Sequence, residues 1–250
     1  HAAEQEDARQ HKRIRAAVCG FCLFLTVSAG EVGAAHYDPL AVATDFKPAQ
    51  LDLTIHDAKR DRDIPVRVYL PATRTPAPVV LFSHGLGGTR NGNSFLGEHW
   101  AARGYVVVFL QHPGSDDSVW RDKPLAERMP AMNSAASLDN FLLRVQDAVA
   151  VLNQLEVWNT DPTNALAGRL EKKVGMSGHS FGAITTQAVS GQAFAVGGQR
   201  FTDPRIKATI VFSPRTPKRG SADKAFGTVK IPWLLMTGTK DLSPIGQADM

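Results

Sequence analysis

The sequence predicts an α/β domain in which a mostly parallel central sheet is covered by helices on both faces. Three observations point to it. Short apolar runs recur with roughly 25–65 residues between successive ones, and helical patterns fill several of the gaps, as in parallel sheets. One run, Pro78-Val-Val-Leu-Phe-Ser83, is apolar without alternation, as a strand buried on both faces must be. The third is the stretch Lys172 to Thr186, which reads as a buried strand, a tight corner at Ser180 and the first turns of a helix. A chain of 250 residues, 43% of them hydrophobic, can bury the core of one such domain. Its formal charge is only +4, without a Lys/Arg-rich run, so no nucleic-acid surface is expected.

In chain order, residues 1–35 read as a signal peptide with a preceding polar lead. Arg9, Lys12, Arg13 and Arg15 form a positive region, and Ala16 to Ala29 is apolar but short for a bilayer span. Small residues then offer a cleavage site near Ala34/Ala35, so a secreted or periplasmic protein is expected, the alternative being an uncleaved membrane anchor. Both cysteines, Cys19 and Cys22, fall inside the apolar stretch, leaving the mature chain without a thiol nucleophile or disulfide. Residues 36–250 are expected to form a single domain. Leu51–His56 and Ile64–Leu70 alternate apolar and polar residues, as half-buried strands do, and pair as an edge hairpin where Pro65 is tolerable. Pro78–Ser83 runs into His84-Gly85-Leu86-Gly87-Gly88, Phe95–Arg103 is a short helix stopped by Gly104, and Tyr105–Leu110 is a strand with three consecutive valines. Residues 111–136 carry no sustained period and read as a loop or lid-like insert. Leu138, Phe141, Leu142, Val145, Val149 and Leu152 recur at helical spacing behind Ser137 as N-cap. After the Ser180 corner and its helix come strands Arg205–Phe212 and Ile231–Gly238, with a basic loop, 215–224, between them. The glycine-rich 191–198 lacks the lysine and hydroxyl of a phosphate-binding loop, and no metal or organic cofactor is expected.

Gly178-His179-Ser180-Phe181-Gly182 is a G-x-S-x-G pentapeptide between an apolar run and a helical pattern. Serine at a strained strand-to-helix corner needs small neighbours two residues away on each side, and the corner sets its hydroxyl at a helix N-terminus. Ser180 is therefore the expected nucleophile. The expected oxyanion donors are the backbone N–H groups of Phe181 and of Leu86, in the loop after the Pro78–Ser83 strand. Asp241, just past a strand end, is the expected acid, ahead of Asp203 and Asp249. All eight histidines lie at or before His179, whereas the order of this chemistry is serine, acid, histidine. His84 and His112 end strands, and His179 is expected to point into the structure. The general base is accordingly expected beyond Met250, with one further strand and helix.

Phe82-Ser-His-Gly-Leu-Gly-Gly88 together with Gly178-His-Ser-Phe-Gly182 resembles the α/β-hydrolase superfamily, on the side of the platelet-activating-factor acetylhydrolase-like and dienelactone-hydrolase-like esterases. The resemblance covers about residues 51 to 245. It implies Ser180 as nucleophile and Leu86 and Phe181 as oxyanion donors. The chain departs from the acetylhydrolases at Ser213-Pro214, where their acid follows the strand, and from dienelactone hydrolases in carrying serine where they carry cysteine. The expected function is a serine carboxylic-ester hydrolase working through an acyl-enzyme on a small-molecule or lipid-like ester, with Trp120, Met129 and Met132 as a candidate apolar wall. The alternatives are a catalytically incomplete binding protein of the same fold and an acyltransferase using the same nucleophile.

Overall fold

The computed structural model describes residues 46–216 and 220–241. The expected signal peptide, its cleavage site and the segments 217–219 and 242–250 lie outside the described residues. The strands are β1 (Ala49–Asp57), β2 (Arg62–Leu70), β3 (Ala77–Ser83), β4 (Val106–Leu110), β5 (Leu170–His179), β6 (Ile206–Phe212) and β7 (Trp233–Met236). The helices are α1 (Ser94–Ala102), α2 (Leu125–Ala135), α3 (Leu138–Thr160), α4 (Phe181–Val189) and α5 (Ala222–Phe226), with a 3-10 turn at Asp117–Val119. One seven-stranded sheet runs in the order β1-β2-β4-β3-β5-β6-β7. Pairing is antiparallel at β1/β2 and β2/β4 and parallel from β4 through β7.

β4 shows why the apolar runs are continuous. All five of its residues are buried, Val106, Val108 and Leu110 in one core and Val107 and Phe109 in another. Successive strand side chains point to opposite faces, so a strand covered on both sides has no polar position to spare. The larger core joins the sheet to α3 and α4 through Phe141, Val145, Ala148, Val151 and Val189. The smaller one holds Tyr69, Phe82 and Phe109 under Leu96 and Trp100 of α1. There Phe82 stacks on Phe109 at 4.5 Å, and the backbone of Gly97 rests on the Tyr69 ring, where a Cβ would collide.

Two expectations need correction and a third needs a different reason. The β1–β2 hairpin lies at the edge of the sheet as expected, but β2 is paired on both sides, so Pro65 is not on the outermost strand. Pro65 fits because the β2/β4 ladder begins at Val66. Its carbonyl accepts from Gln111 N at 2.9 Å, and its missing N–H faces the same side, past the end of β4. The segment 111–136 contains the 3-10 turn and the eleven-residue helix α2. Pro130 inside α2 and a weakly apolar pattern conceal a helix whose role is set by tertiary contact. Leu138 leads the apolar series of α3 but is exposed, because it sits in the first turn before the helix meets the sheet.

Ser137 Oγ accepts from Asn140 N at 3.1 Å and caps α3. Ser137→Ala should cost about 1 kcal/mol in urea denaturation. Leu138→Ala, one residue along, should stay within about 0.5 kcal/mol of the parent.

Candidate active site

The parallel ladder brings strand ends to one edge: Ser83 is in register with Gly178, His179 with Phe212, and Phe212 with Met236. Loops leaving β3, β5, β6 and β7 therefore meet there, the edge where open α/β sheets place their sites.

Ser180 is the N-cap of α4 and has φ 55° and ψ −111°, outside the regions a serine normally occupies. Such backbone stores about 1–3 kcal/mol, and its surroundings must hold it. Ser180 N donates to Phe212 O at 3.1 Å. A Cβ on Gly178 would overlap the Gly182 carbonyl, and one on Gly182 would overlap the Ser83 carbonyl. The two glycines of the pentapeptide are thus steric requirements of the corner. Phe181, first residue of α4, has no intrahelical acceptor for its N–H.

The loop after β3 is fastened to the segment after β4. Gly87 N donates to Ser115 O at 2.9 Å, Asp117 N to Gly88 O at 3.1 Å, and Trp120 Nε1 to Gly87 O at 2.8 Å. Gly87 needs its φ of +71°, and a Cβ there would strike Met132 and Trp120. Among the described residues Leu86 N–H makes no backbone hydrogen bond. Leu86, Gly87, Met129, Met132, His179 and Ser180 line a pocket of about 420 Å³. Met129 and Met132 of α2 thus wall the pocket, while Trp120 holds the loop through Gly87.

Asp241 lies beyond β7, with its carboxylate between two strand ends. The Ser213 hydroxyl hydrogen-bonds it, Thr237 Oγ1 donates to Oδ2 at 2.9 Å, and His179 acts on it electrostatically. Ser213 first, then Thr237, holds this carboxyl below the usual carboxylate range. Ser213 itself has φ 55° and donates its N–H to Met236 O at 2.8 Å. His179 is exposed and lines the pocket beside Ser180, contrary to the inward orientation expected of it. Its ring rests beside Gly85, in the loop after β3.

His84 and His112 are engaged in the interior. His112 N–H donates to His84 Nε2 at 3.1 Å, so the His84 proton is on Nδ1, which donates to Gly85 O at 2.6 Å. Ser83 Oγ lies 2.9 Å from His112 Nε2, and His112 Nδ1 lies 3.0 Å from Asp147 Oδ2. This trio has the hydrogen-bond order of a hydrolytic triad, yet each member is fully buried and no substrate carbonyl can reach it. No histidine hydrogen-bonds the Ser180 hydroxyl among the described residues.

Two residues of α3 that the sequence reading passed over organise this interior. Asp147 accepts from Arg60 Nη1 and Arg62 Nε, each at 2.8 Å, besides His112. Burial alone would raise its carboxyl, but hydrogen bonds from His112 and Arg62 outweigh that and hold it well below the usual range. Arg144 donates to Ser115 Oγ at 2.9 Å, Ser83 Oγ at 3.1 Å, Thr185 Oγ1 at 3.3 Å and the His84 carbonyl. Burial pushes it down to about 9. The signal was present: positions 144 and 147 interleave with Phe141, Val145, Ala148 and Val151 on the buried face of one helix.

This sheet order, with a serine corner after β5 and a glycine-rich loop after β3, is the α/β-hydrolase fold. Residues 66–133, from β2 through most of α2, match the family described as platelet-activating factor acetylhydrolase, isoform II. That match includes the Leu86 loop and ends before the Ser180 corner. No curated protein matches the chain. Among the described residues no cluster of three or more His, Cys, Asp or Glu is placed to hold a metal ion, and no helix is long and apolar enough to cross a membrane.

Two outcomes follow from this geometry. Gly182→Ala should cost at least about 3 kcal/mol in urea denaturation, since backbone must move. Burial, then Arg144, pushes His112 down to about 4 from its ordinary 6.5, and burial lowers His84 likewise. Between these values the unfolded chain binds a proton that the native chain refuses. The stability from neutral His112 is therefore complete above pH 6.5 and lost as pH falls towards 4. The depressed Asp147 adds a loss only below 3.8. His112→Asn should flatten the slope of stability against pH in the 6.5-to-4 window, measured by urea denaturation at a series of pH values.

Proposed function

We propose that this chain is a serine carboxylic-ester hydrolase that works through an acyl-enzyme at Ser180. The observation that carries the reading is the strained Ser180 corner opening into a pocket that the glycine-rich loop of Leu86 also lines. The partial match to an acetylhydrolase family supports an ester substrate. The Ser180 hydroxyl attacks the ester carbonyl, and the oxyanion is received by the N–H groups of Leu86 and Phe181, each such donor being worth roughly 3–4 kcal/mol in the transition state. The alcohol leaves, and water releases the acid from the serine ester. Asp241, kept anionic by Ser213 and Thr237, orients the histidine that takes the serine proton. His84 and His112 are committed elsewhere, and in the serine, acid, histidine order of this fold that histidine follows Asp241 and so is not one of the eight within residues 1–250. Met129 and Met132 present an apolar surface to the acyl or alcohol group of a small or lipid-like ester.

Ser180→Ala should lower kcat on a p-nitrophenyl ester by about 10⁶-fold, the scale of a nucleophile knockout. A fluorophosphonate should label the parent at Ser180 and leave the variant unlabelled; a variant that keeps most of its activity contradicts the assignment. We also propose export, with cleavage near Ala34/Ala35. The N-terminus of the protein recovered from the medium or periplasm tests this, and an intact N-terminus in the membrane fraction would favour the anchored form.

A further inference from the structure

We propose that Arg144 is the positioning residue of the oxyanion hole, a role that rests on the esterase reading and extends it. Arg144 is fully buried, and among the described residues it hydrogen-bonds no carboxylate. Asp147 and Asp116 act on it only without direct contact, and a buried cation with no carboxylate bonded to it is costly, so stability alone would favour leucine or methionine on this face of α3.

Its donors are divided in a telling way. One arm reaches Ser83 Oγ and the His84 carbonyl, at the start of the loop that carries Leu86. A second reaches Ser115 Oγ, and the carbonyl of that same residue accepts from Gly87 N–H. The third reaches Thr185 Oγ1, whose hydroxyl donates to the Phe181 carbonyl at 3.1 Å. The guanidinium lies 4.7 Å from the centre of the Phe181 ring. One planar, rigid group thus touches both backbone segments whose N–H groups converge on the oxyanion, and so sets the distance between them. A lysine supplies neither the fork nor the plane. Asp147, three residues on, provides the balancing charge at one remove, through His112 and Ser83.

The test compares Arg144→Met and Arg144→Lys with the parent, each shown to be folded by circular dichroism. With a p-nitrophenyl ester, kcat should fall about 100-fold in both, as for a displaced oxyanion donor, with KM within about threefold. Affinity for an alkyl boronic acid, which mimics the tetrahedral state, should fall in parallel with kcat. Amide hydrogen exchange should accelerate at 84–88 and 181–185 while the β1–β2 hairpin is unchanged. A folded Met variant with parental kcat and parental exchange at 84–88 overturns the proposal, as does a Lys variant with full activity. If the Met variant does not fold, Thr185→Val and Ser115→Ala each remove one arm and should give smaller losses of kcat with the same exchange signature. A parent that neither hydrolyses esters nor reacts with fluorophosphonate refutes the esterase reading, while exchange at 84–88 still decides whether Arg144 holds the loop.

Discussion

The carbonyl of Ser83 presses so closely on Gly182 that no side chain fits between them. This contact joins the end of β3 to the first turn of α4 and is possible only because Gly182 has no Cβ. Through it the loop carrying Leu86 and the corner carrying Ser180 become one rigid piece. The parallel register of Ser83 with Gly178 brings the two segments to the same level of the sheet. The strained φ of Ser180 is then held from three sides: by β3, by Phe212 on the neighbouring strand, and by the helix it begins.

Beneath that contact the protein keeps charges where a core would ordinarily be apolar. Asp147 gathers Arg60 and Arg62 from the β1–β2 hairpin and His112 from beyond β4, while Arg144 faces the loop and the corner. The arrangement tolerates burial because each group has several hydrogen-bond partners, and a half-satisfied version would be worse than leucine. The two histidines remain neutral, since burial opposes a second cation beside Arg144. The site is thus supported by a polar layer that reaches the outer edge of the sheet.

What could be read from the residues divides along a physical line. Features fixed by local geometry were legible: the two-sided burial of β4, the Ser137 cap, and the glycines flanking Ser180. Features fixed by long-range contact were not. Arg144 and Asp147 look like surface charges until partners some 30 to 90 residues away enclose them. Helix α2 is hidden because Pro130 and a mixed pattern argue against it locally, and which strand of the edge hairpin is outermost, and where its ladders end around Pro65, cannot be seen in sequence. The outward orientation of His179 depends on the loop after β3, distant in sequence, against whose Gly85 its ring rests. The buried Ser83–His112–Asp147 trio shows the same limit in reverse: residue types and spacing admit two serine sites, and only exposure separates them.

Trp120 carries a further meaning. It stands in the segment that leads into α2, and its indole N–H holds Gly87, whose turn is also closed off by Met132. Met132, which lines the pocket, therefore shares with Trp120 the support of the loop that would receive the substrate's negative charge. Pocket size and charge stabilisation form a single mechanical variable here. A lineage that enlarged this pocket by trimming Met132 would uncover the Gly87 turn that packs against it and loosen its own catalyst. Room for a larger ester would instead come from Gly92 and Asn93, lining residues at the start of α1.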